Sequence, residues 1–318
     1  MIKLIIRLGY VALSNVLETS SKTISYTEFN KNKDLNKIKK IITDNLINLN
    51  NIINYNIKNN IHFYRITSNL IPLATLELFD YIDNYKKYYD IIKENIKKSN
   101  MRVDMHPDQF CVLNSTKKEV VENSIKILKY HYNILEALGV KNKVIILHVG
   151  SSVLGKENSI KRFINNFNKL PKYLKESIAI ENDDKIFNIK DCLYISNKLN
   201  IPFILDYHHH ICNNDNINLY DCINEIFQSF KITPKIHFSS PKNKTKKEFR
   251  SHHEYIDINS FIDFLKKIEN INYDIDIMIE AKGKDDALFR LVRQLKYNNY
   301  KFIDDTTFLN SSNNPPFS

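Results

Sequence analysis

Eight side chains able to bind a metal ion stand at, or just past, the ends of short apolar runs. His106 follows MRVDM, His148 lies near the end of VIILHV, and Glu181 closes SIAIE. Asp206 closes PFILD with His209 three residues on; His237 sits in PKIHF, His252 in the segment after it, and Glu280 closes IDIMIE. Imidazole and carboxylate together suit Zn²⁺ or Mn²⁺. Eight donors exceed the roughly four to six positions of one ion, but fit two or three ions that share bridging carboxylates. Ions about 3.5–4 Å apart can activate water and stabilise both the attacking and the leaving oxygen of a phosphodiester. The chemistry to expect is therefore metal-assisted phosphodiester hydrolysis, with Glu181 and Glu280 as the carboxylates on which it depends. Each residue alone has a plainer reading. A single histidine at a strand end is more often a hydrogen-bonded core residue, and Glu181 or Glu280 could be half of a buried ion pair, with Lys282 or Arg65 for instance. Eight such groups converging on one place would otherwise be poorly satisfied.

Something must bring them together. The apolar runs are KLIIRL (3–8), HFYRI (62–66), MRVDM (101–105), VIILHV (144–149), SIAIE (177–181), PFILD (202–206), PKIHF (234–238) and IDIMIE (275–280). Between them lie helical patterns: Leu35, Ile38, Ile42, Leu46, Leu49 and Ile53 share one face, as do Val121, Ile125, Leu128, Tyr132 and Leu135, the latter stopping at Gly139. Near-continuous apolar strands alternating with helices indicate a parallel sheet covered on its faces. Eight such units predict a TIM (β/α)₈ barrel, whose active site lies at the C-terminal ends of the strands, where the candidate ligands fall. His62 starts a run and His131 is mid-helix, so both read as structural. A doubly wound open sheet is the runner-up, but no glycine-rich phosphate loop follows any strand. Residues 1–302 read as one barrel domain and 303–318, ending SSNNPPFS, as a loosely ordered extension.

The 318 residues carry a formal net charge of +10. That balance suits a polyanion, although a chain so rich in Lys, Asn, Ile and Tyr would be basic regardless. Arg7, Arg65, Lys156, Lys161, Arg162 and PKNKTKKEFR (241–250) are available to hold phosphates. No segment approaches the roughly 20 apolar residues of a membrane span. Cys111, Cys192, Cys212 and Cys222 make no CxxC pair, which points to a reducing cytoplasm. Nothing calls for a membrane or an obligate protein partner. In LDYHHHICNN (205–214), Asp206 and His209 can share a site, leaving His208 and His210 as supporting or outward-facing residues.

The pieces FYRITSNLIPLA, MHPDQF, ILHVG, IENDD, LDYHHH, PKIHFSS, RSHHEYI and MIEAKGK occur in order between RLGY at 7–10 and EAKGK at 280–284. Together they resemble the UV damage endonucleases, metal-dependent barrel enzymes related in fold to endonuclease IV. The resemblance implies a nick in damaged double-stranded DNA immediately 5′ to a UV photoproduct, leaving a 3′-hydroxyl and a 5′-phosphate. It implies the same eight ligands, with Mn²⁺ as the first expectation and Zn²⁺ or Mg²⁺ as alternatives. It adds Lys235 at the metal site as a carboxylated catalytic lysine, against the plainer reading of a phosphate-binding or core-lining lysine. Gln109 and Phe110 would wedge into the duplex, with Tyr10 as companion, and Asn69, Arg65 and Asn15 near the DNA. Asn69 stands where some members carry a histidine, Phe110 where others carry tyrosine, and Asn15 is one residue out of register. An abasic-site endonuclease of the endonuclease IV type is the nearest alternative function, and a metal-dependent sugar isomerase the next.

Overall fold

The structure, a computed structural model, describes residues 4–245 and 248–310. Eight strands form the wall of a closed barrel: β1 (Leu4–Ala12), β2 (Phe63–Ile66), β3 (Arg102–Met105), β4 (Ile145–His148), β5 (Ile178–Glu181), β6 (Phe203–Asp206), β7 (Lys235–Phe238) and β8 (Ile275–Ile279). Each is parallel to its neighbours, and β1 closes the ring by pairing with both β2 and β8. All eight apolar runs of the sequence appear as these strands. The helices are α1 (Tyr26–Asn32), α2 (Leu35–Lys58), α3 (Lys86–Ser99), α4 (Lys118–Ala137), α5 (Lys156–Asn168), α6 (Lys172–Lys175), α7 (Ile189–Leu199), α8 (Tyr207–Cys212), α9 (Leu219–Gln228), α10 (Ile258–Lys267) and α11 (Lys284–Tyr297). They cover the outer face of the wall, as a parallel sheet requires. On α2 the anticipated stripe is buried from Ile38 onward, but Leu35 at its first residue is exposed. The buried face of α4 centres on Ser124, Leu128, His131 and Leu135, so Val121 and Ile125 sit at its edge. Gly139 takes φ +66° just past that helix, the left-handed conformation that glycine adopts without strain.

Successive residues of a strand point to opposite faces. In β1, Ile6, Leu8 and Tyr10 are fully buried on the helix side, while Arg7 points into the barrel and reaches Asp276 of β8. Arg102 of β3 spans the interior to the same aspartate, and Lys235 of β7 spans it to Asp104 of β3. A barrel interior is usually layered with branched apolar side chains. Here its layers are ionic, and they continue upward into the mouth.

Two further strands, β9 (Lys301–Phe302) and β10 (Thr307–Asn310), correct the expected loose extension from residue 303. Leu4–Arg7 of β1 pair antiparallel with β10, whereas Tyr10–Ala12 pair with β2. The tail thus occupies the edge of β1 below the point where β2 joins it. Thr306 Oγ1 donates to the Asn60 carbonyl, and His62 sits 2.7 Å from Asp304. Residues 311–318 lie outside the described residues.

Candidate metal centre

Glu181, at the end of β5, is the hub. It is 1% exposed. His106 Nε2 stands 2.8 Å from its Oε2, with His148 Nε2 at 3.7 Å, and His237 Nδ1 stands 2.7 Å from its Oε1. Two groups of side chains place ligand atoms within 4.8 Å of one another, His106–His148–Glu181 and Glu181–Asp206–His237–Glu280, and the glutamate belongs to both. These residues come from the ends of six different strands or the turns after them, so the barrel itself fixes their spacing.

Neighbouring groups orient the ligands. His106 donates from Nδ1 to the Pro107 carbonyl at 2.7 Å, and His209 donates from Nδ1 to the Asn182 carbonyl at 3.0 Å. A carbonyl can only accept, so Nε2 of each ring is the atom left to coordinate a metal, and in His106 it already faces Glu181 Oε2. Asn182 also clamps Asp206: its Oδ1 accepts from the Asp206 amide and its Nδ2 donates to the Asp206 carbonyl. The Asp206 Oδ1 caps α8 by accepting from the His209 amide. That cap explains the spacing of the histidine run. The helix turns His209 toward the site, while His208 is buried against Cys212, Phe249 and His252, and His210 against Tyr207 and Asn214. Burial pushes His208 and His210 down to about 4, so both are neutral supports.

The electrostatics separate the three carboxylates. Burial alone would raise the Glu181 carboxyl, but His237 and His148 beside it outweigh burial and hold it well below the usual range. Glu280 behaves likewise: burial opposes ionisation, and Arg65 and His237 more than restore it. Asp206 goes the other way. Burial raises it, His209 pulls it down, and Glu181 and Glu280 add to the rise. Burial would lower His209, yet Asp206 and Glu181 bring it up to about 9. Asp206 Oδ2 and His148 Nδ1 are buried without a hydrogen bond, and His209 Nδ1 stands 3.7 Å from that Oδ2. Three crowded carboxylates, imidazoles on the same side and a buried carboxylate oxygen without a hydrogen bond are the surroundings a divalent cation fits.

His252 stands at the rim, its ring 6.2 Å from that of His209 and 5.7 Å from that of His208. His253 is exposed and turned toward Tyr255, which favours His252 of the pair. Lys235 is fully buried below the cluster on the His237 face of β7, paired with Asp104, so its position is that of a core-lining lysine. Burial lowers it to about 8, against the opposing pull of Asp104. Arg65 does not face a DNA surface. Its Nη1 bonds Glu280 and its Nη2 lies 2.5 Å from His237 Nε2, which is the ion-pair alternative for Glu280. Tyr10 shares the outward parity of Ile6 and Leu8, is 0% exposed, and donates to Asn56 Oδ1 at 2.8 Å, so it lies on the helix side of the wall rather than in the mouth. Gln109 and Phe110 lie on an exposed turn after His106. An Asp108 side chain caps their turn through the Phe110 amide, and Phe110 is 66% exposed. That exposure removes the reading of Phe110 as a barrel cap. Asn69 and Asn15 are exposed on the loops after β2 and β1, with Asn15 held through its amide by Asp285.

Of the other basic groups, Arg7 belongs to the opposite end of the barrel, paired with Asp276, and Lys156 pairs with Asp191. Arg162 is spent on the carbonyls of Asn114 and Val153. Lys246 and Lys247 of the 241–250 loop lie outside the described residues; Lys242 in the same loop pairs with Glu248. Residues that sequence reading passed over are Asp104, which pairs with Lys235 and faces Arg65, and Asn182, which clamps Asp206. Asp104 had a signal, an acid two residues before His106 and so on the same face of its strand.

Among the described residues no helix is long and apolar enough to cross a membrane. Residues 6–309 match the family of the UV-endonuclease UvdE. The UV DNA damage endonuclease of Bacillus cereus (strain G9842) is 40% identical over 304 residues, 92% of this chain and 95% of that protein. Its namesake in Bacillus mycoides (strain KBAB4) is also 40% identical over the same shares. The crystal structure of SacUVDE superimposes with a TM-score of 0.82 at 37% identity, covering 92% of this chain and 99% of that one. Endonuclease IV from Thermus thermophilus, at 10% identity and TM-score 0.57, shares the fold over 92% of this chain and 98% of that one. A match along nearly the whole barrel, with identity near two residues in five, leaves one assignment: the chain belongs to the UV-endonuclease UvdE family.

Proposed function

We propose that the chain is a cytoplasmic, metal-dependent endonuclease that nicks damaged double-stranded DNA immediately 5′ to UV photoproducts, leaving a 3′-hydroxyl and a 5′-phosphate. The observation that carries the reading is Glu181, a buried carboxylate common to two groups of potential ligands. His106, His148, Glu181, Asp206, His209, His237, His252 and Glu280 would hold two or three divalent ions, Mn²⁺ before Zn²⁺ or Mg²⁺. Such ions supply an activated water and neutralise charge on the phosphate.

The chain's own residues do the rest. Arg65 keeps Glu280 ionised and fixes His237. Pro107 and Asn182 carbonyls hold His106 and His209 in the tautomer with Nε2 free. Lys235 and Asp104 form a buried ion pair beneath the centre that fixes its floor. Gln109 and Phe110, on an exposed turn beside His106, enter the distorted duplex: the ring stacks in the gap and the amide replaces lost base hydrogen bonds. Asn15 and Asn69 lie on flanking loops within reach of the backbone. No protein partner is required.

The test is strand cleavage with Mn²⁺ on matched UV-irradiated, abasic and undamaged duplexes. A single nick just 5′ to the photoproduct, abolished by chelator, is the expected result. Cutting only at the abasic site would instead make this an enzyme of the endonuclease IV kind, and no cutting of any duplex by metal-loaded protein would remove the nuclease reading.

A further inference from the structure

The mouth carries exposed apolar residues besides Phe110, Val16 and Leu17 after β1 among them. Val153 and Leu154, between His148 and α5, are 52% and 71% exposed. Single exposed apolar residues are ordinary. This pair differs because its backbone is fixed while both side chains are left uncovered. Arg162 Nη2 and Ser159 Oγ both donate to the Val153 carbonyl, and Asn158 Nδ2 donates to the Leu154 carbonyl at 2.9 Å. Leu154 takes φ +64°, a left-handed conformation that is strained for a leucine. Strain retained in an exposed leucine points to use rather than packing.

The tip is also joined to the wedge turn. Asn114, on the segment that carries Gln109 and Phe110, donates from Nδ2 to the Ser151 carbonyl at 2.7 Å and accepts from the Ser151 amide at 3.1 Å. Arg162 Nε donates to the Asn114 carbonyl at 2.9 Å, so one arginine braces both segments. At Gly150 an added Cβ would meet Asn114 Oδ1 at 2.5 Å, and φ is +111°, so the two segments pack with no room for a side chain there. The result is one rigid unit with Phe110 at one point and Val153–Leu154 at another, on the face that carries the candidate metal centre.

We propose that Val153 and Leu154 form a second wedge for the damaged duplex, inserting at a base step beside the one met by Phe110 and holding the helix bent. Apolar side chains that unstack a step and kink the duplex are an established way to open DNA, and the chain's charge of +10 suits that partner. The proposal rests on the DNA-repair reading above and adds a recognition element to it.

The test compares the wild type with the Val153→Ser/Leu154→Ser double variant. Leu154→Asn serves as a second variant that suits the left-handed backbone, and Ile303→Ser as a control at the other end of the barrel. Binding to irradiated and intact duplexes is read by fluorescence anisotropy, and unstacking by 2-aminopurine beside the lesion. The double variant and Leu154→Asn should bind the irradiated duplex about tenfold more weakly and lose the 2-aminopurine rise, with binding to intact DNA, the melting temperature and Ile303→Ser all as in the wild type. Wild-type preference and fluorescence in the double variant would overturn the wedge alone, as would equal weakening on both duplexes. A wild type with no preference for the irradiated duplex would overturn the DNA-repair reading and the wedge with it.

Discussion

The two ends of the barrel interior are both charged, but they treat their carboxylates differently. Near the start of the strands Asp276 has each oxygen matched: Arg7 Nε at 2.6 Å on one and Arg102 Nη1 at 2.7 Å on the other. At the strand ends Glu181 is shared by His106 and His237 with His148 close by, while the buried Asp206 Oδ2 has no hydrogen bond, only His209 Nδ1 at 3.7 Å. Fixed guanidinium groups complete the lower aspartate, so it is part of the framework. The upper carboxylates crowd together, and burial with Glu181 and Glu280 nearby raises Asp206, an arrangement that suits a cation from outside.

Mutations at the two ends should separate stability from activity. Asp276→Asn should have the largest effect, about 3–5 kcal/mol of stability, because it leaves Arg7 and Arg102 without their shared counter-charge. Denaturant unfolding checks this, and the folded fraction should still bind Mn²⁺; a variant as stable as the wild type would mean the lower layer is ornamental. Glu280→Gln should slow nicking by about 10²–10³-fold with binding to irradiated DNA retained. Single-turnover cleavage reads this, and a wild-type rate would return Glu280 to the role of an ion-pair partner for Arg65. Gln109→Ala with Phe110→Ala should reduce the preference for irradiated over intact duplex about tenfold and leave melting unchanged. Undiminished preference would remove the wedge turn from the account.

A last effect, confined to acid pH, lies outside both layers. Burial pushes His131 of α4 down to about 4. The unfolded chain therefore takes up the proton first, and stability that is complete above about 6.5 is lost as pH falls toward about 4. His131→Leu should flatten the fall in melting temperature across that window, and an unchanged slope would show that other groups carry it. His208 and His210 add to the same window with the same sign.

The barrel was legible because each strand is a separate, nearly continuous apolar run, and a parallel sheet covered by helices leaves such runs intact. Placing a histidine or carboxylate at each run's end located the mouth, and six of the eight candidates fall within the two ligand groups, with His209 and His252 beside them. The charged floor was not legible. Lys235 and Asp104 are 131 residues apart, and Arg102 and Asp276 are 174 apart, so only a closed barrel brings them together. The face that Tyr10 takes was not legible from the resemblance that named it; Arg7 inside the barrel puts Tyr10 outside it. The tail was misread because its composition is that of a loose end, while its order comes from an unpaired stretch of β1. Arg162 looked free to hold phosphate, and the carbonyls that claim it lie in loops whose path no periodicity reveals.

Glu181→Gln tests the central claim most directly, measured by Mn²⁺ titration and by cleavage of a UV-irradiated duplex alongside the wild type. The variant should fold, bind irradiated DNA, and lose both tight Mn²⁺ binding and the nick 5′ to the photoproduct. A variant that nicks at the wild-type rate would contradict the assignment of Glu181 as the shared ligand of the centre.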